Sequence, residues 1–339
     1  MLKLLKIAKR MIDLIKDIIN VFVYFQEAVL SLSDKSIRIS FTNFKDIPFD
    51  FFTISIEKAL RTQNIKIVKH YKPHVQLFSV FGNRGKISRS KALQKIFFTG
   101  ENSNVYRNGE YKGNCIDDVS LSLGFDFIEA DNYLRLPLWL MYYFSPSNSK
   151  DEIKEILDAF KGNTNKDKFC ALVASHDRNG IRRKIYNDVV QIDFIDCPGN
   201  LLHNDDTLRN QYADNKAVYL QQYKFNICPE NSIDPGYVTE KLFQSLHSGC
   251  IPIYNGWNKN PEPDIVNPDI IMWYDTFEMG NNQSLLHEIK KLHSDNRLYR
   301  SFVAQPFFCD TAVDKIHSVL QEFVYKMGAS LTKSLREHI

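Results

Sequence analysis

From residue 36 onward, short segments rich in β-favouring apolar residues alternate with longer segments in which apolar residues recur every three or four positions. The short segments are typical of strands, and the spaced segments are typical of helices packed on a sheet. The polar, glycine-containing segments 82–90 and 103–118 are predicted as loops. In the first half the pattern predicts a helix over Thr53–Thr62 and strands at Ser36–Thr42, Ile65–Lys69, Val75–Phe81, Lys95–Thr99 and Val119–Phe125.

The same alternation continues in the second half of the chain. A helix over Asp151–Phe160 and a charged linker over Lys161–Lys168 separate the halves. Strands are predicted at Phe169–Ala174, Gln191–Phe194, Lys224–Cys228, Cys250–Tyr254 and Ile270–Trp273. Helices are predicted at Ile181–Val190, Tyr237–Ser248, 283–295 and 310–326, with further helical segments between Gly199 and Lys224. The chain is therefore predicted to be an α/β protein with two Rossmann-like domains facing a cleft, over residues 34–160 and 161–325, followed by a tail at 326–339.

Residues 1–33 are predicted to form a separate amphipathic helix with a basic side. Because Asp13 and Asp17 interrupt it, the segment has no apolar span of ~20 residues for crossing a membrane and no clean signal-peptide core. Two interpretations remain: the helix lies on an anionic membrane surface, or it packs on the core of the protein itself. We expect a cytoplasmic protein, which the first interpretation would place at the inner face of the membrane. The same helix would also allow self-association.

Composition narrows the class of protein. The 339 residues carry a net charge of +3, which gives no electrostatic case for nucleic acid, and 44% hydrophobic residues are enough for two packed cores. The six cysteines are dispersed without a CxxC pair, which favours a reducing compartment and argues against a structural zinc site.

Candidate chemistry is concentrated in residues 225–256, which are predicted to fold as strand, loop, helix and strand. The i+3 and i+4 spacing of Tyr237, Glu240 and Lys241 places them on one helical face near the first turn. An ammonium group beside the positive end of a helix dipole would suit a nucleotide diphosphate. The alternative is a surface Glu and Lys beside a half-buried Tyr, and spacing alone does not decide between the two.

The same residues resemble a known family. Glu230-Asn231-Ser232, Gly236-Tyr237-Val238-Thr239-Glu240-Lys241 and Ile251-Pro252-Ile253-Tyr254 resemble the signature of the α1,3-fucosyltransferases of glycosyltransferase family 10. Residues 175–186 resemble the family's Ser-Asn…Arg…Phe/Tyr element, with His176 in place of the usual Asn. The resemblance makes Arg182 the phosphate-binding arginine, whereas the neighbouring Arg183 is better explained as a solvated residue.

In the first half, Phe98-Thr99-Gly100-Glu101-Asn102 resembles the family's Thr-Gly-Glu-Asn element, and residues 124–126 and 133–137 resemble the segments that follow it. The resemblance implies that Glu101 is the general base. A loop glutamate on its own is typical of solvated surface, but a carboxylate at a strand end beside Gly100 is well placed for this role. Asp126 is the second candidate, and a structural partner is the simpler role for it.

The family resemblance implies a GT-B-like fold and an inverting transfer of L-fucose from GDP-β-L-fucose to a GlcNAc-containing, N-acetyllactosamine-type glycan. It further implies that domain 34–160 binds the acceptor, that domain 161–325 binds GDP-fucose, and that the donor contacts are Arg182, Asn231, Tyr237, Glu240 and Lys241. We expect no essential metal and no other cofactor, because the chain's paired aspartates (117–118, 193–196 and 205–206) lack Asp-x-Asp spacing. Two alternatives remain: an inverting transferase with another nucleotide sugar, and a non-catalytic nucleotide- or glycan-binding protein.

Overall fold

A computed structural model describes residues 36–45, 49–60, 66–162, 164–276 and 282–335. The predicted amphipathic segment 1–33 lies outside these ranges. The described residues form two compact units. Within the described ranges, the first unit contains the residues up to Leu123, Ala130–Leu134 and the residues from Phe323 onward, and the second contains Gly124–Glu129 and Arg135–Glu322.

The first unit is built on a six-stranded sheet with the order β2-β1-β3-β4-β5-β6. β1 pairs in parallel with β2 and β3, and β4 pairs in parallel with β3 and β5. The strands are β1 (Ser36–Thr42), β2 (Lys66–Lys69), β3 (Val75–Phe78), β4 (Gln94–Phe98), β5 (Leu121–Gly124) and β6 (Tyr133–Arg135), and the helices between them are α1 (Phe49–Leu60) and α2 (Gly85–Arg89).

Ile37 and Ile39 of β1 and Leu77 of β3 are fully buried. The α1 side chain Phe52 is also fully buried and packs edge-on against Phe98 of β4. Burial of apolar area on this scale is the main favourable contribution to folding of the unit. Segment 103–118, predicted as a loop, contains the short 3-10 turns Tyr106–Gly109 and Ile116–Asp118.

The second unit is built on a five-stranded sheet with the order β11-β10-β9-β7-β8. All four strand pairings are parallel, so the carboxyl ends of the strands share one edge of the sheet. The strands are β7 (Lys168–Ala171), β8 (Ile195–Asp196), β9 (Tyr223–Ile227), β10 (Ile251–Tyr254) and β11 (Met272–Trp273). The helices are α3 (Leu138–Tyr143), α4 (Lys150–Asp158), α5 (Ile181–Val189), α6 (Thr207–Tyr212), α7 (Lys216–Leu220), α8 (Glu240–His247), α9 (Gln283–Ser294) and α10 (Asn296–Val303).

The last helix, α11 (Ala312–Leu335), extends beyond the predicted end near residue 326. Phe323, Met327 and Leu331 are all fully buried and recur every four residues, so the apolar stripe continues past that point. None of the described helices is long and apolar enough to span a membrane.

The α/β class and its parallel sheets are confirmed, whereas three short helices (α2, α3 and α10) were not predicted. The compact units also differ from the predicted division near residue 160, because residues 135–160 belong to the second unit. Trp139 explains part of this difference: its ring stacks on Phe243 of α8 at 4.1 Å and is completely buried.

Candidate active site

The donor-binding candidates lie in the second unit, beyond the carboxyl ends of β7 and β9. This is the sheet edge at which parallel α/β proteins commonly bind ligands. Residues 175–182 follow β7, and residues 228–241 follow β9. The structure therefore brings together two segments that are about 50 residues apart in the sequence, as the position of Asn179 Nδ2, 3.1 Å from the Asn231 carbonyl oxygen, shows.

Arg182 lies in the first turn of α5, as predicted. The helix begins after Gly180, whose φ of +76° is readily adopted by glycine. The Arg182 side chain donates from Nη2 to Asn231 Oδ1 at 2.7 Å and from Nη1 to the His176 carbonyl oxygen at 2.6 Å. These acceptors are uncharged, so the hydrogen bonds orient the guanidinium without neutralising it.

Burial makes the positive charge of the Arg182 guanidinium energetically costly. The residue is buried, with 6% of its surface exposed. Burial lowers the pKa of its guanidinium, whereas Asp177, Glu230 and Tyr237 act in the opposite direction. A buried guanidinium with neutral hydrogen-bond partners is well suited to forking onto anionic oxygens.

Glu230 organises the second segment, a role that was not predicted from the sequence. Its fully buried carboxylate accepts the Thr239 backbone N–H at 2.8 Å and the Thr239 hydroxyl at 2.7 Å. It also accepts Lys241 Nζ at 3.2 Å and the Tyr254 hydroxyl at 3.2 Å. The signal in the sequence is a carboxylate that opens the matched motif directly after a predicted strand.

Lys241 is held beside this carboxylate and keeps its charge. Burial opposes the positive charge, but Glu230 and Glu240 outweigh it, so the pKa of the Lys241 ammonium is raised. Lys241 Nζ also donates to the Thr239 hydroxyl oxygen at 2.8 Å, and 21% of its side chain remains exposed. The ammonium is therefore fixed in position and is also reachable from solvent.

The predicted common helical face of Tyr237, Glu240 and Lys241 is wrong for Tyr237. Helix α8 begins at Glu240, three residues later than predicted, so Tyr237 lies in the turn that precedes it. Gly236 has a φ of +81°, and Thr239 is extended and donates its N–H to Glu230 instead of to a helical carbonyl. Tyr237 is buried and packs edge-on against Phe125, with ring centres 4.8 Å apart.

Arg135 supports the same turn. Its guanidinium donates to the carbonyl oxygens of Phe125 at 3.0 Å and Gly236 at 2.8 Å. It also forms a two-bond ion pair with the buried Glu262, at 2.8 and 3.0 Å. Trp139 Nε1 donates to the same carboxylate at 2.8 Å. Arg135 lies in a segment that matches the family, but no role was predicted for it from the sequence.

Glu101 and Asn102 directly follow β4 in the first unit, as the sequence predicts for Glu101. The Glu101 side chain is partly exposed, and its backbone N–H donates to Thr99 Oγ1 at 3.1 Å. Asn102 is buried and accepts the Asn104 N–H at 2.9 Å. Asp126, the second candidate, is partly buried and belongs to the second unit. No group of three or more His, Cys, Asp or Glu side chains is arranged to hold a metal ion within the described ranges.

Comparison with solved structures identifies the fold. The chain is similar to a crystal structure of an α1,3-fucosyltransferase, with a TM-score of 0.57 and 23% identity, over 87% of this chain and 91% of the other. A crystal structure of an α1,3-fucosyltransferase with GDP-fucose matches with a TM-score of 0.55 and 23% identity, over 87% of this chain and 92% of the other. The predicted GT-B-like fold class is thereby confirmed.

Among curated proteins, an α-(1,3)-fucosyltransferase FucT of Helicobacter pylori is 28% identical over 306 residues, which cover 80% of this chain and 60% of the relative. An α-(1,3)-fucosyltransferase B of Drosophila melanogaster is 30% identical over 189 residues, which cover 50% of this chain and 40% of the relative. The chain thus spans less than two thirds of the length of these relatives.

Two family models match separate parts of the chain. Residues 39–142 match the α-(1,3)-fucosyltransferase FucT N-terminal domain. Residues 163–315 match the C-terminal part of glycosyltransferase family 10 (fucosyltransferase), which includes Arg182, Glu230 and Lys241. Together the two matches account for most of the sequence, and the chain belongs to glycosyltransferase family 10, the fucosyltransferase family.

Proposed function

We propose that the chain is an inverting α1,3-fucosyltransferase that moves L-fucose from GDP-β-L-fucose to a hydroxyl of a GlcNAc-containing, N-acetyllactosamine-type glycan. The observation that carries the proposal is the arrangement of Arg182, Asn231 and Lys241 beyond β7 and β9 in a member of the fucosyltransferase family. The names of the relatives support the reaction, and the similar fucosyltransferase structure with GDP-fucose supports the donor.

The two cations suit the donor's diphosphate. Arg182 is oriented by neutral acceptors, and Lys241 is fixed by Thr239 and Glu230, so both positive charges are in place before a ligand arrives. Preorganised charges of this kind need no reorganisation when a ligand carrying negative charge binds. Asn231, Tyr237 and Glu240 complete the proposed donor site.

In the proposed reaction the bond between fucose C1 and the β-phosphate oxygen breaks as the acceptor oxygen attacks C1 from the opposite face. Positive charge grows on the sugar and negative charge grows on the leaving GDP. Arg182 and Lys241 stabilise the leaving diphosphate, and Glu101 takes the proton of the acceptor hydroxyl. The anomeric configuration changes from β to α. We propose that no divalent metal is required.

The first experiment tests the proposed general base. Glu101→Gln keeps the size of the side chain but cannot accept the proton, so we expect fucose transfer to fall by about 10²–10⁴-fold. The affinity for GDP-fucose, measured by calorimetry, should stay within a few-fold of wild type. Glu57→Gln, at an exposed glutamate on α1 of the same unit, is the matched control. Near-full activity of Glu101→Gln would contradict the role of this carboxylate.

The second experiment tests the donor site. Lys241→Ala removes one proposed diphosphate contact, and we expect GDP to bind about 10–100-fold more weakly, the range for losing a hydrogen bond to a charged group. Lys290→Ala, at an exposed lysine of α9, is the control. Unchanged GDP affinity of Lys241→Ala would remove Lys241 from the proposed site.

The overall reaction is tested with GDP-fucose and a panel of GlcNAc-terminated acceptors in the presence of EDTA, with products read by mass and linkage. Transfer in EDTA supports a metal-independent reaction. Turnover of a different nucleotide sugar, detected as nucleotide release, would identify another donor. Donor binding without transfer to any acceptor would identify a non-catalytic binding protein.

A further inference from the structure

Phe127 is an exposed aromatic residue at the border of the proposed donor site. It belongs to the segment Gly124–Glu129 of the second unit, and 59% of its surface is exposed. Most large apolar side chains of the described chain are buried in the two cores, as expected for a folded protein. An exposed phenyl ring beside a ligand site therefore needs an explanation.

The ring is held in place by its neighbours. The guanidinium carbon of Arg135 lies over the Phe127 ring, 4.8 Å from its centre. The Trp257 ring contacts it at a centre-to-centre distance of 5.6 Å and an angle of 60°. Such cation–π and edge-to-face contacts favour one orientation of the ring.

These neighbours are fixed in turn. Arg135 has a two-bond ion pair with the buried Glu262, and Trp257 Nε1 donates to the Pro261 carbonyl oxygen at 3.0 Å. The exposed phenyl ring is thus preorganised, so it loses little conformational entropy when a ligand binds.

Phe127 is also close to the turn that leads into α8. A Cβ atom built at Gly236 would lie 3.1 Å from Phe127 Cε2, and Arg135 donates to the Gly236 carbonyl oxygen. The next residue, Tyr237, is one of the proposed donor contacts. A ligand on the Phe127 ring would therefore lie beside this part of the donor site.

We propose that the exposed Phe127 ring, held in place by Trp257, forms a platform on which a pyranose ring of the acceptor glycan stacks. Pyranoses present a face of C–H groups with partial positive charge, which the electron-rich face of an aromatic ring attracts. The face of one phenyl ring is comparable in size to one pyranose ring, whereas a stable protein interface needs about 800 Å² per partner. This inference rests on the proposed fucosyltransferase function and specifies where its acceptor binds.

The test compares Phe127→Ala with Phe194→Ala. Phe194 is a matched control because it is 61% exposed in the same unit and precedes β8, at the sheet edge opposite the donor candidates. For Phe127→Ala we expect the acceptor KM to rise about tenfold, while the GDP-fucose Kd and the hydrolysis of GDP-fucose without acceptor stay unchanged. Phe194→Ala should match wild type, and Phe127→Tyr, which keeps the ring, should restore the wild-type acceptor KM.

Two outcomes would overturn the platform. The first is an unchanged acceptor KM in Phe127→Ala, and the second is a raised GDP-fucose Kd, which would assign the ring to the donor's guanine. If the wild-type protein transfers no fucose, the proposed function fails, and saturation-transfer NMR with N-acetyllactosamine tests the platform separately. In that experiment, glycan binding that is lost in Phe127→Ala but kept in Phe194→Ala supports the platform, and equal signals from both variants refute it.

Discussion

A single buried carboxylate connects four groups in the proposed donor site. Glu230 accepts hydrogen bonds from the backbone and hydroxyl of Thr239, from Lys241 and from Tyr254. Burying a carboxylate is costly unless its oxygens are well satisfied, and these donors supply that compensation. Glu230 therefore links the end of β9 to the start of α8 and fixes the ammonium of Lys241.

A second buried ionisable residue, His70, predicts a pH dependence of the first unit. His70 is 5% exposed, and its Nδ1 accepts the Lys72 backbone N–H at 2.9 Å, which requires that nitrogen to be unprotonated. Burial lowers the pKa of His70, and the charges of Arg38 and Lys72 act in the same direction, whereas a hydrogen bond from a protonated Nδ1 to the Lys72 carbonyl oxygen, 3.3 Å away, opposes them.

Because the folded-state pKa of His70 is lower than the unfolded value of about 6.5, the unfolded chain binds the proton more readily. The stability associated with neutral His70 is present above pH ~6.5 and is lost as the pH falls toward the folded-state pKa. We expect the unfolding free energy of His70→Asn, which keeps an acceptor for Lys72, to fall less between pH 7 and 5 than that of wild type. Equal slopes in urea titrations would contradict this.

At the scale of elements, the start of α8 shows how turn chemistry overrides helical periodicity. Val238, Leu242 and Leu246 are fully buried at i+4 spacing, which is why the sequence predicts a helix from Tyr237. The positive φ of Gly236 and the hydrogen bond from Thr239 N–H to Glu230 delay the helix until Glu240. Both features involve residues outside the helix, so the spacing of its apolar residues does not reveal them.

Gly236→Ala should disrupt this turn. An alanine Cβ would lie 2.3 Å from the Phe125 carbonyl oxygen, in addition to the strain of a positive φ. Gly113→Ala is the matched control, because Gly113 has a φ of +78° and nothing within 4 Å of its added Cβ. We expect Gly113→Ala to cost about 1 kcal/mol and Gly236→Ala clearly more, with weaker GDP binding only in the latter. Equal losses in denaturant titrations would refute the close contact.

The other elements show the same limits of prediction from sequence. Strand β1 is predicted to the residue, because Ile37, Ile39 and Phe41 alternate with polar residues in the period of two that is typical of a strand. Helix α3 was missed because Leu138–Tyr143 is short and apolar on every side, which leaves no helical period to detect. Helix α10 was missed although Asp295 caps it through the N–H groups of Arg297 and Leu298.

At the scale of the whole molecule, each unit is built from more than one stretch of the sequence and not from one consecutive half of the chain. The sequence located Glu101, Arg182 and Lys241 through matched motifs, and the structure places Glu101 in the first unit and the other two in the second. The sequence alone did not reveal the roles of Glu230, Arg135 and Glu262. These roles depend on contacts between segments as far apart as residues 135 and 262.

The end of α11 is expected to stabilise the first unit. Phe323 is fully buried, stacks on Phe51 at 5.3 Å and packs edge-on against Phe52 at 6.2 Å. We expect Phe323→Ala to lower the unfolding free energy by about 3–5 kcal/mol, the range for truncating a buried phenylalanine. Tyr325→Ala, at a residue of the same helix that is 75% exposed, should change it little. Similar denaturation midpoints for the two variants would contradict the role of α11.

Because each unit is built from separate stretches of the chain, the architecture has a consequence for how such proteins diversify. The chain passes from one unit to the other between residues 123 and 124, 129 and 130, 134 and 135, and 322 and 323. A single recombination event between related genes therefore cannot exchange one unit intact; any one breakpoint leaves a hybrid unit. A breakpoint at residue 160, for instance, would separate Arg135 from the parental Gly236 and Glu262. New specificity in this architecture should therefore arise by local substitution, and chimaeras designed in the laboratory will need several junctions.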